Sequence, residues 1–317
     1  MAPGTIAQYS KLIDPAVRKH FIDRYKQLEP KLEMVYGRVE DARDYNEQES
    51  LYSGMGSVAA VAEGEAYTKD APLQTYSTTY TQVKYGKIGE LAYEVKLFEK
   101  DNLVSKMPKM LAQSAARKVE TDAASPFNNG FNTAYTSYGD GKPFFSTDHT
   151  QAGGGTAQVN ASTAGITLTE DNVETMQILL ENILDDRGER IDIYTDMLLV
   201  PLQLRKEALI IAKSEYRSNT ADNDVNVYNG GMLEYKGANI DKVVCWKYLT
   251  SSTAWFLGSK DNMLTWKWAE KTKLERDDSS GFETDMMKWK VRSFYDYGWS
   301  DYRGWAGSKG DGAAYSS

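Results

Sequence analysis

The sequence predicts an α+β protein, and three observations carry that reading. Residues 74–97 alternate side chains in the period of strands, with Gly86-Lys-Ile-Gly89 as a turn between two runs. Three stretches, 101–122, 170–184 and 201–213, carry apolar residues at helical spacing instead. From Val225 onward strands alternate with turns, and all seven tryptophans fall between Trp246 and Trp305.

In chain order, the first element is an arm. Val17, Phe21, Tyr25, Leu28 and Leu32 recur at helical spacing, and Asp14-Pro15 is a sound start, the acid capping and the proline at the first helical position. Residues 38–63 turn acidic, with a break at Ser53-Gly-Met-Gly-Ser. In the stretch 64–98 the outgoing strand is rich in Thr, Ser and Tyr and offers almost no aliphatic residues to a core. A hairpin of about fifteen residues per arm would reach roughly 40–50 Å, yet would be marginal alone. It needs a surface to lie on, and if its own domain does not provide one, a neighbouring subunit must. Tyr76, Tyr80, Tyr85 and Tyr93 are therefore expected at a subunit interface, with Lys84 and Lys87 near the tip.

Leu103, Met107, Leu111 and Ala115 then form one stripe of a helix over 101–122, in which Pro108 predicts a bend. Thr169 caps a second helix, whose outer face is negative because residues 170–190 hold seven acids against two arginines. A strand over 191–200 leads to Pro201, which opens a third helix. Leu264, Trp266 and Trp268 alternate on one strand face and are expected to pack inward; a carbohydrate-binding aromatic platform is the alternative. The Gly-, Ala- and Ser-rich tail from Gly304 is expected to be only partly ordered.

Composition excludes several classes. The chain has 317 residues, 41% hydrophobic and 12% aromatic, too apolar for disorder. No apolar run approaches the roughly 20 residues of a bilayer span, and the start has no basic end feeding an apolar stretch, so a soluble protein without secretion signal or membrane partner is expected. The single cysteine, Cys245, allows no internal disulfide. A net charge of −8 has the wrong sign for a protein whose main work is gripping phosphate.

Chemistry-bearing motifs are scarce. Only His20 and His149 could serve as a base. His20 falls on the charged arm, and His149 lies in Phe145-Ser-Thr-Asp-His with no Gly-x-Ser-x-Gly elbow, so a loop-stabilising hydrogen bond is its expected role. Asp222-Asn-Asp-Val-Asn226 begins like a calcium loop, then fails at Val227 and Leu233. Gly139-Asp-Gly-Lys-Pro143 lacks both the earlier glycine and the hydroxyl residue of a phosphate loop. No catalytic residue, cofactor or metal is expected.

Five motifs in order then carry a resemblance. Asp140-Gly-Lys-Pro-Phe-Phe-Ser-Thr-Asp-His149 is followed by Gly153-Gly-Gly-Thr and Asn160; then come Asp186-Arg-Gly-Glu, Leu199-Val-Pro201, Thr220-Ala-Asp-Asn-Asp-Val-Asn226 and Ala254-Trp-Phe-Leu257. From Tyr9 to at least Leu257 the chain resembles the major head proteins of Mu-like and related tailed bacteriophages. The resemblance implies the tailed-phage major-capsid fold. Its parts would be an N-terminal arm over 1–33, a peripheral domain over 34–63 and 99–165 with a spine helix at 101–122, and an extended loop over 64–98. An axial domain over 166–262, closing peripheral strands over 263–302 and a tail over 303–317 would complete it. Thr150 stands where such proteins usually have proline after the histidine, a departure confined to the local turn. The implied function is structural: subunits forming hexamers and pentamers of an icosahedral or prolate shell around double-stranded DNA, which the shell contacts weakly and without sequence preference. Implied partners are a portal and decoration or scaffold proteins, and the implied setting is the virion, assembled in the host cytoplasm. Because the arm begins within ten residues of Met1, any scaffold is expected to be a separate protein. An encapsulin-like shell is the alternative in the same fold, and a hydrolase or carbohydrate-binding enzyme the alternative outside it.

Overall fold

The computed structural model describes residues 19–25, 31–98, 103–215, 226, 228, 240–277 and 286–315. Its strands are β1 (Arg38–Asp41), β2 (Asn46–Tyr52), β3 (Gln74–Thr81), β4 (Val83–Ala92), β5 (Met197–Val200), β6 (Lys242–Cys245), β7 (Trp255–Gly258), β8 (Leu264–Asp277), β9 (Met286–Trp299) and β10 (Trp305–Ser308). The helices are α1 (Leu32–Val35), α2 (Tyr93–Leu97), α3 (Leu103–Ala123), α4 (Ser125–Asn128), α5 (Glu170–Glu181) and α6 (Arg205–Lys213), and residues 19–25 are also helical. The expected start of the arm helix at Asp14-Pro15, and Val17 and Leu28 of its stripe, lie outside the described residues.

Two four-stranded sheets organise the chain. The first runs β1-β8-β9-β4, with β8 and β9 a long antiparallel pair and β4 antiparallel to β9. Strand alternation divides it into two unlike faces. On one, Trp289, Val291 and Leu91 pack against Leu111 and Ala112 of α3, while Trp266 and Trp268 pack around Tyr295. The Tyr295 hydroxyl donates to Asp122 Oδ2 of α3 at 2.7 Å, which ties the helix end to the sheet. On the other face stand Thr265, Lys267 and Asp296, and there a two-stranded ribbon, β2 paired with β3, is rooted.

The second sheet, β10-β7-β5-β6, has apolar cover on both sides. Leu198, Val200, Trp255 and Leu257 meet Val173, Met176 and Leu180 of α5 and Ala208 and Ala212 of α6. Met197, Leu199, Phe256 and Trp305 join the other core, around Phe127, Phe144 and Phe145. Two-sided burial explains why Met-Leu-Leu-Val and Trp-Phe-Leu-Gly are buried at every position rather than at alternate ones. Thr169 caps α5 by accepting the Asn172 N–H, as expected from sequence.

The expected hairpin over 64–98 is corrected. β3 pairs with β2, not with the segment after it, and β4 runs unbroken through Gly86-Lys-Ile-Gly89 as a strand of the first sheet. Neither glycine has a positive φ; a Cβ on Gly86 would stand 3.1 Å from the Val291 carbonyl oxygen, and one on Gly89 would meet Leu111 and Met107 of α3 at 3.3–3.4 Å. These glycines mark close packing, which sequence cannot distinguish from a turn. The return strand expected through Val95 and Leu97 is the short helix α2.

Two further differences concern chain ends of elements. The strand expected over 191–200 forms only at Met197–Val200. The tail is not loose through its first part, because Trp305 is fully buried in β10 and Tyr315 donates its hydroxyl to the Phe145 carbonyl at 2.8 Å. All seven tryptophans pack inward.

Candidate functional site

The ribbon β2–β3 is the element whose shape departs most from a core-forming one. Residues 53–73 join its strands, and the Ser53 N–H to Leu73 carbonyl bond closes the loop at its base. Beyond that base, Val58 is 101% exposed, Tyr67 83% and Met55 64%. Large apolar side chains left in water on one projecting loop are the signature of a contact surface for another protein.

The root of the ribbon is polar and tightly held. Tyr80 is fully buried; its hydroxyl lies 2.8 Å from Ser300 Oγ, and its ring meets Tyr138. The Thr81 N–H donates to Asp296 Oδ2 at 2.7 Å. Lys267, almost fully buried, places Nζ 2.8 Å from Glu47 Oε1 and 3.8 Å from both Glu40 and Glu49. Burial pushes Glu47 upward, but the Lys267 ammonium and the Arg43 N–H outweigh it, and the carboxyl ends below its ordinary value. For Asp296 burial wins, and its carboxyl is raised.

A second tether lies further out. Arg187 donates from Nη1 to both carboxylate oxygens of Asp70 at 2.8 Å, from Nη2 to the Ala71 carbonyl and from Nε to Ser53 Oγ. The Gly56 N–H, Arg187 and the Ala71 N–H hold Asp70 down to about 2. Arg187 is itself fixed by a turn in which Asp185 Oδ1 accepts the N–H groups of Arg187 and Glu189. Next to it, Asp186 accepts from Arg303 and from the Ala152 N–H. The Asp186-Arg-Gly-Glu motif is therefore a seat for the ribbon.

The six sequence-predicted interface residues separate. Tyr80 has no ring area left for a neighbour and is corrected to packing within the subunit, whereas Tyr85 is half-buried, stacking on Tyr295 at 4.5 Å under the Lys118 ammonium. Burial pushes the Tyr85 hydroxyl up to about 12. Tyr76 donates its hydroxyl to the Thr150 carbonyl. Lys84 lies 5.8 Å over the Phe294 ring and Lys87 is exposed on β4, well away from any hairpin tip. Tyr93 opens α2. Residues that sequence reasoning missed are Asp70, Arg187, Lys267 and Arg303. Of these, only Arg187 stood in a recognisable motif.

His149 has the structural role expected of it. Nδ1 lies 2.8 Å from Asp140 Oδ2 and Nε2 3.0 Å from Asn160 Oδ1, while the ring stacks on Tyr302 at 3.6 Å. Asn160 also donates to the Phe144 and Trp305 carbonyls, so this cluster staples the loop 139–160 onto the core. His149→Ala leaves the buried Asp140 and Asn160 groups unmatched and should destabilise the subunit by about 2–4 kcal/mol in chemical denaturation; a change below about 0.5 kcal/mol would contradict this role. Cys245 is half-buried, and burial pushes its thiol up, away from a reactive thiolate. The calcium-like segment lies outside the described residues except for Asn226, which donates to the Ile211 and Ser214 carbonyls. Among the described residues no group of three or more His, Cys, Asp or Glu is placed to hold a metal, and no helix is long and apolar enough to cross a membrane.

No curated protein matches this chain. Among solved structures it is similar to one of Microbacterium phage Oxtober96, with 10% identity, TM-score 0.53, and coverage of 88% of this chain and 90% of that one. It is similar to the capsid of a native GTA particle computed with C5 symmetry, with 12% identity, TM-score 0.55, and coverage of 87% and 88%. The procapsid of bacteriophage JBD30, computed in I4 symmetry, matches with 16% identity, TM-score 0.50, and coverage of 96% and 76%. At such identities the likeness concerns the fold, and the fold is that of tailed-phage major capsid proteins. A family model described as phage capsid protein matches residues 75–308, most of the chain. With the second sheet, three of the four strands of the first (β4, β8 and β9) and α3 inside that match, this chain belongs to the phage capsid protein family and is a structural component of the head shell.

Proposed function

We propose that the subunit assembles into hexamers and pentamers that close an icosahedral or prolate head around double-stranded DNA. The observation that carries this reading is the ribbon, firmly rooted on its own sheet and bare at the tip. In a closed shell one sequence must meet neighbours at several slightly different angles, and a projecting two-stranded ribbon can flex where packed sheets cannot. The five-fold symmetry in which the GTA capsid was computed is the geometry of a pentameric vertex. Tyr67, Met55 and Val58 bury apolar area against a neighbour, with the polar residues around them as the wet rim of the contact. A portal, scaffold or decoration proteins are the other partners, and assembly takes place in the host cytoplasm. No step of this function calls on a nucleophile or cofactor.

Electron microscopy and particle-mass measurement of the purified chain test the reading. Closed shells built from rings of five and six subunits are expected, with nuclease-protected DNA in particles from infected cells. Shells holding protein cargo and no nucleic acid would replace the head with a nanocompartment. A monomer or small oligomer with measurable turnover would remove the structural reading.

A further inference from the structure

The face of α3 turned away from the sheet carries a feature unlike the rest of the surface. Lys106, Lys109, Gln113 and Arg117 recur at three- and four-residue spacing and so form one stripe. Two adjoining cavities of about 550 and 560 Å³ run along it and share Arg24 and Gln113. Helical residues 19–25 form one wall; Lys31 and the segment Cys245–Tyr248 close the other end. Six cations, Arg24, Lys31, Lys106, Lys109, Arg117 and Lys247, thus line one groove.

Their counter-charge is small. Among the described residues Asp23 and Glu120 are the acids of the groove, and Glu120 is already occupied, accepting from the Lys31 N–H and from Trp246 Nε1, each at 2.6 Å. Arg117 Nε donates to the Gln113 backbone carbonyl and Lys247 lies over the Tyr248 ring. Among the described residues neither Lys106 nor Lys109 has an ion-pair partner. Elsewhere the chain neutralises its inward cations, Lys267 with three glutamates, Arg292 with Glu270 and Glu275, and Arg303 with two aspartates. Unpaired like charges a helical turn apart repel, and in a chain of net charge −8 this stripe is an exception.

We propose that this groove is where the shell grips the phosphate backbone of packaged DNA, an inference that rests on the head-shell reading above. From Lys106 to Arg117 the helix advances about 16 Å. Over that length one strand of a duplex presents about five phosphates. With its amide oriented to accept from Arg24 Nε and Nη2, at 3.1 and 2.7 Å, Gln113 joins the cationic wall, and the six cations of the groove are suited to phosphate. The contact is therefore electrostatic and independent of sequence. The ribbon is rooted on the opposite face of the sheet, so the groove stays open while neighbours engage.

The test uses the full-length unassembled chain and a fluorescein-labelled 20-base-pair duplex of arbitrary sequence, followed by anisotropy from 50 to 200 mM salt. Binding in the micromolar range is expected, with a slope of log K against log salt near −5, as five or six neutralised phosphates require. Lys106→Gln/Lys109→Gln/Arg117→Gln should weaken binding at least tenfold and make the slope shallower by about 3. The charge-matched control Lys84→Gln/Lys260→Gln/Lys271→Gln should change neither by more than about twofold. Equal losses in both triple variants would reduce the effect to net charge and overturn the site. So would undetectable binding at 50 mM salt, or polyglutamate displacing the duplex at equal charge concentration, which would assign the groove to an acidic protein segment. The groove variant should still form shells by electron microscopy. If the unaltered chain forms none, the head-shell reading fails, whatever the duplex does.

Discussion

Replacing residues 54–72 by a four-residue Gly-Ser turn yields a folded, soluble subunit that closes no shells. The deleted loop contributes almost nothing to either core: Met55, Val58 and Tyr67 stand in solvent, and its ties to the rest of the chain are the Arg187–Asp70 pair and a few backbone contacts. Thermal unfolding should therefore move little. In a shell the same side chains find apolar partners, and burying one tyrosine ring of roughly 150–250 Å² is worth about 4–6 kcal/mol at about 25 cal/mol per Å². Summed over every subunit of a particle, that loss abolishes closure. Should the deletion disturb folding, Val58→Ser/Tyr67→Ser separates the effects, since both side chains are exposed in the free subunit. Normal shells from both variants would show that assembly does not pass through this loop.

The same loop carries a pH expectation. Asp70 is held down to about 2, below its ordinary value near 3.8, by the Gly56 N–H, by Arg187 and by the Ala71 N–H. A carboxyl depressed on folding stabilises above its unfolded value and loses that contribution as pH falls through its folded value. The Arg187 tether therefore holds from pH 7 down to pH 4 and is released only near pH 2. Cleavage at Lys69 by a protease active at both pH 7 and pH 4 should be equally slow at the two, and fast at both in Arg187→Ala.

Arg303→Met should cost about 3–5 kcal/mol in urea denaturation, among the largest losses for one surface-distant substitution. Arg303 donates to Asp186 at 3.2 and 3.3 Å, to Asp301 Oδ2 at 2.9 Å and to the Leu184 carbonyl at 3.1 Å. Burial works against its charge, but Asp301, Tyr302 and Asp186 outweigh it and hold the guanidinium above its ordinary value. Methionine fills the space and leaves two carboxylates without their cation, with side-chain exposures of only 5% and 14%. Arg303→Met/Asp186→Asn should recover part of the loss, because the more buried charge is then gone. A cost below about 1 kcal/mol for the single variant, or no recovery in the double, would remove Arg303 from its place as the centre of that network.

How far the sequence could be read depended on the range of the interaction involved. The long helix, the capped helix after Thr169, the inward tryptophans and the loop role of His149 follow from local spacing and residue chemistry, and all are present. The extended element did not follow. Alternation from 74 correctly marks a strand as far as Thr81, after which Val83 and Lys84 begin β4, but period 2 names no partner. The partner is Asn46–Tyr52, a polar stretch that carries no strand signal of its own.

The chain by itself determined its class, the positions of its three longest helices and, through five ordered motifs, its kinship with phage heads. Tertiary structure decided which strands meet, whether Gly86 and Gly89 turn or pack, and which tyrosines reach outward. It also decided that six cations scattered from Arg24 to Lys247 share one groove, and that Asp70, Arg187, Asp186 and Arg303, up to 233 positions apart, form a connected seat. The physical reason is the same in each case. Helical propensity and capping act within a turn or two of chain, whereas strand pairing, buried ion pairs and shared surfaces join residues whose proximity only the folded core creates.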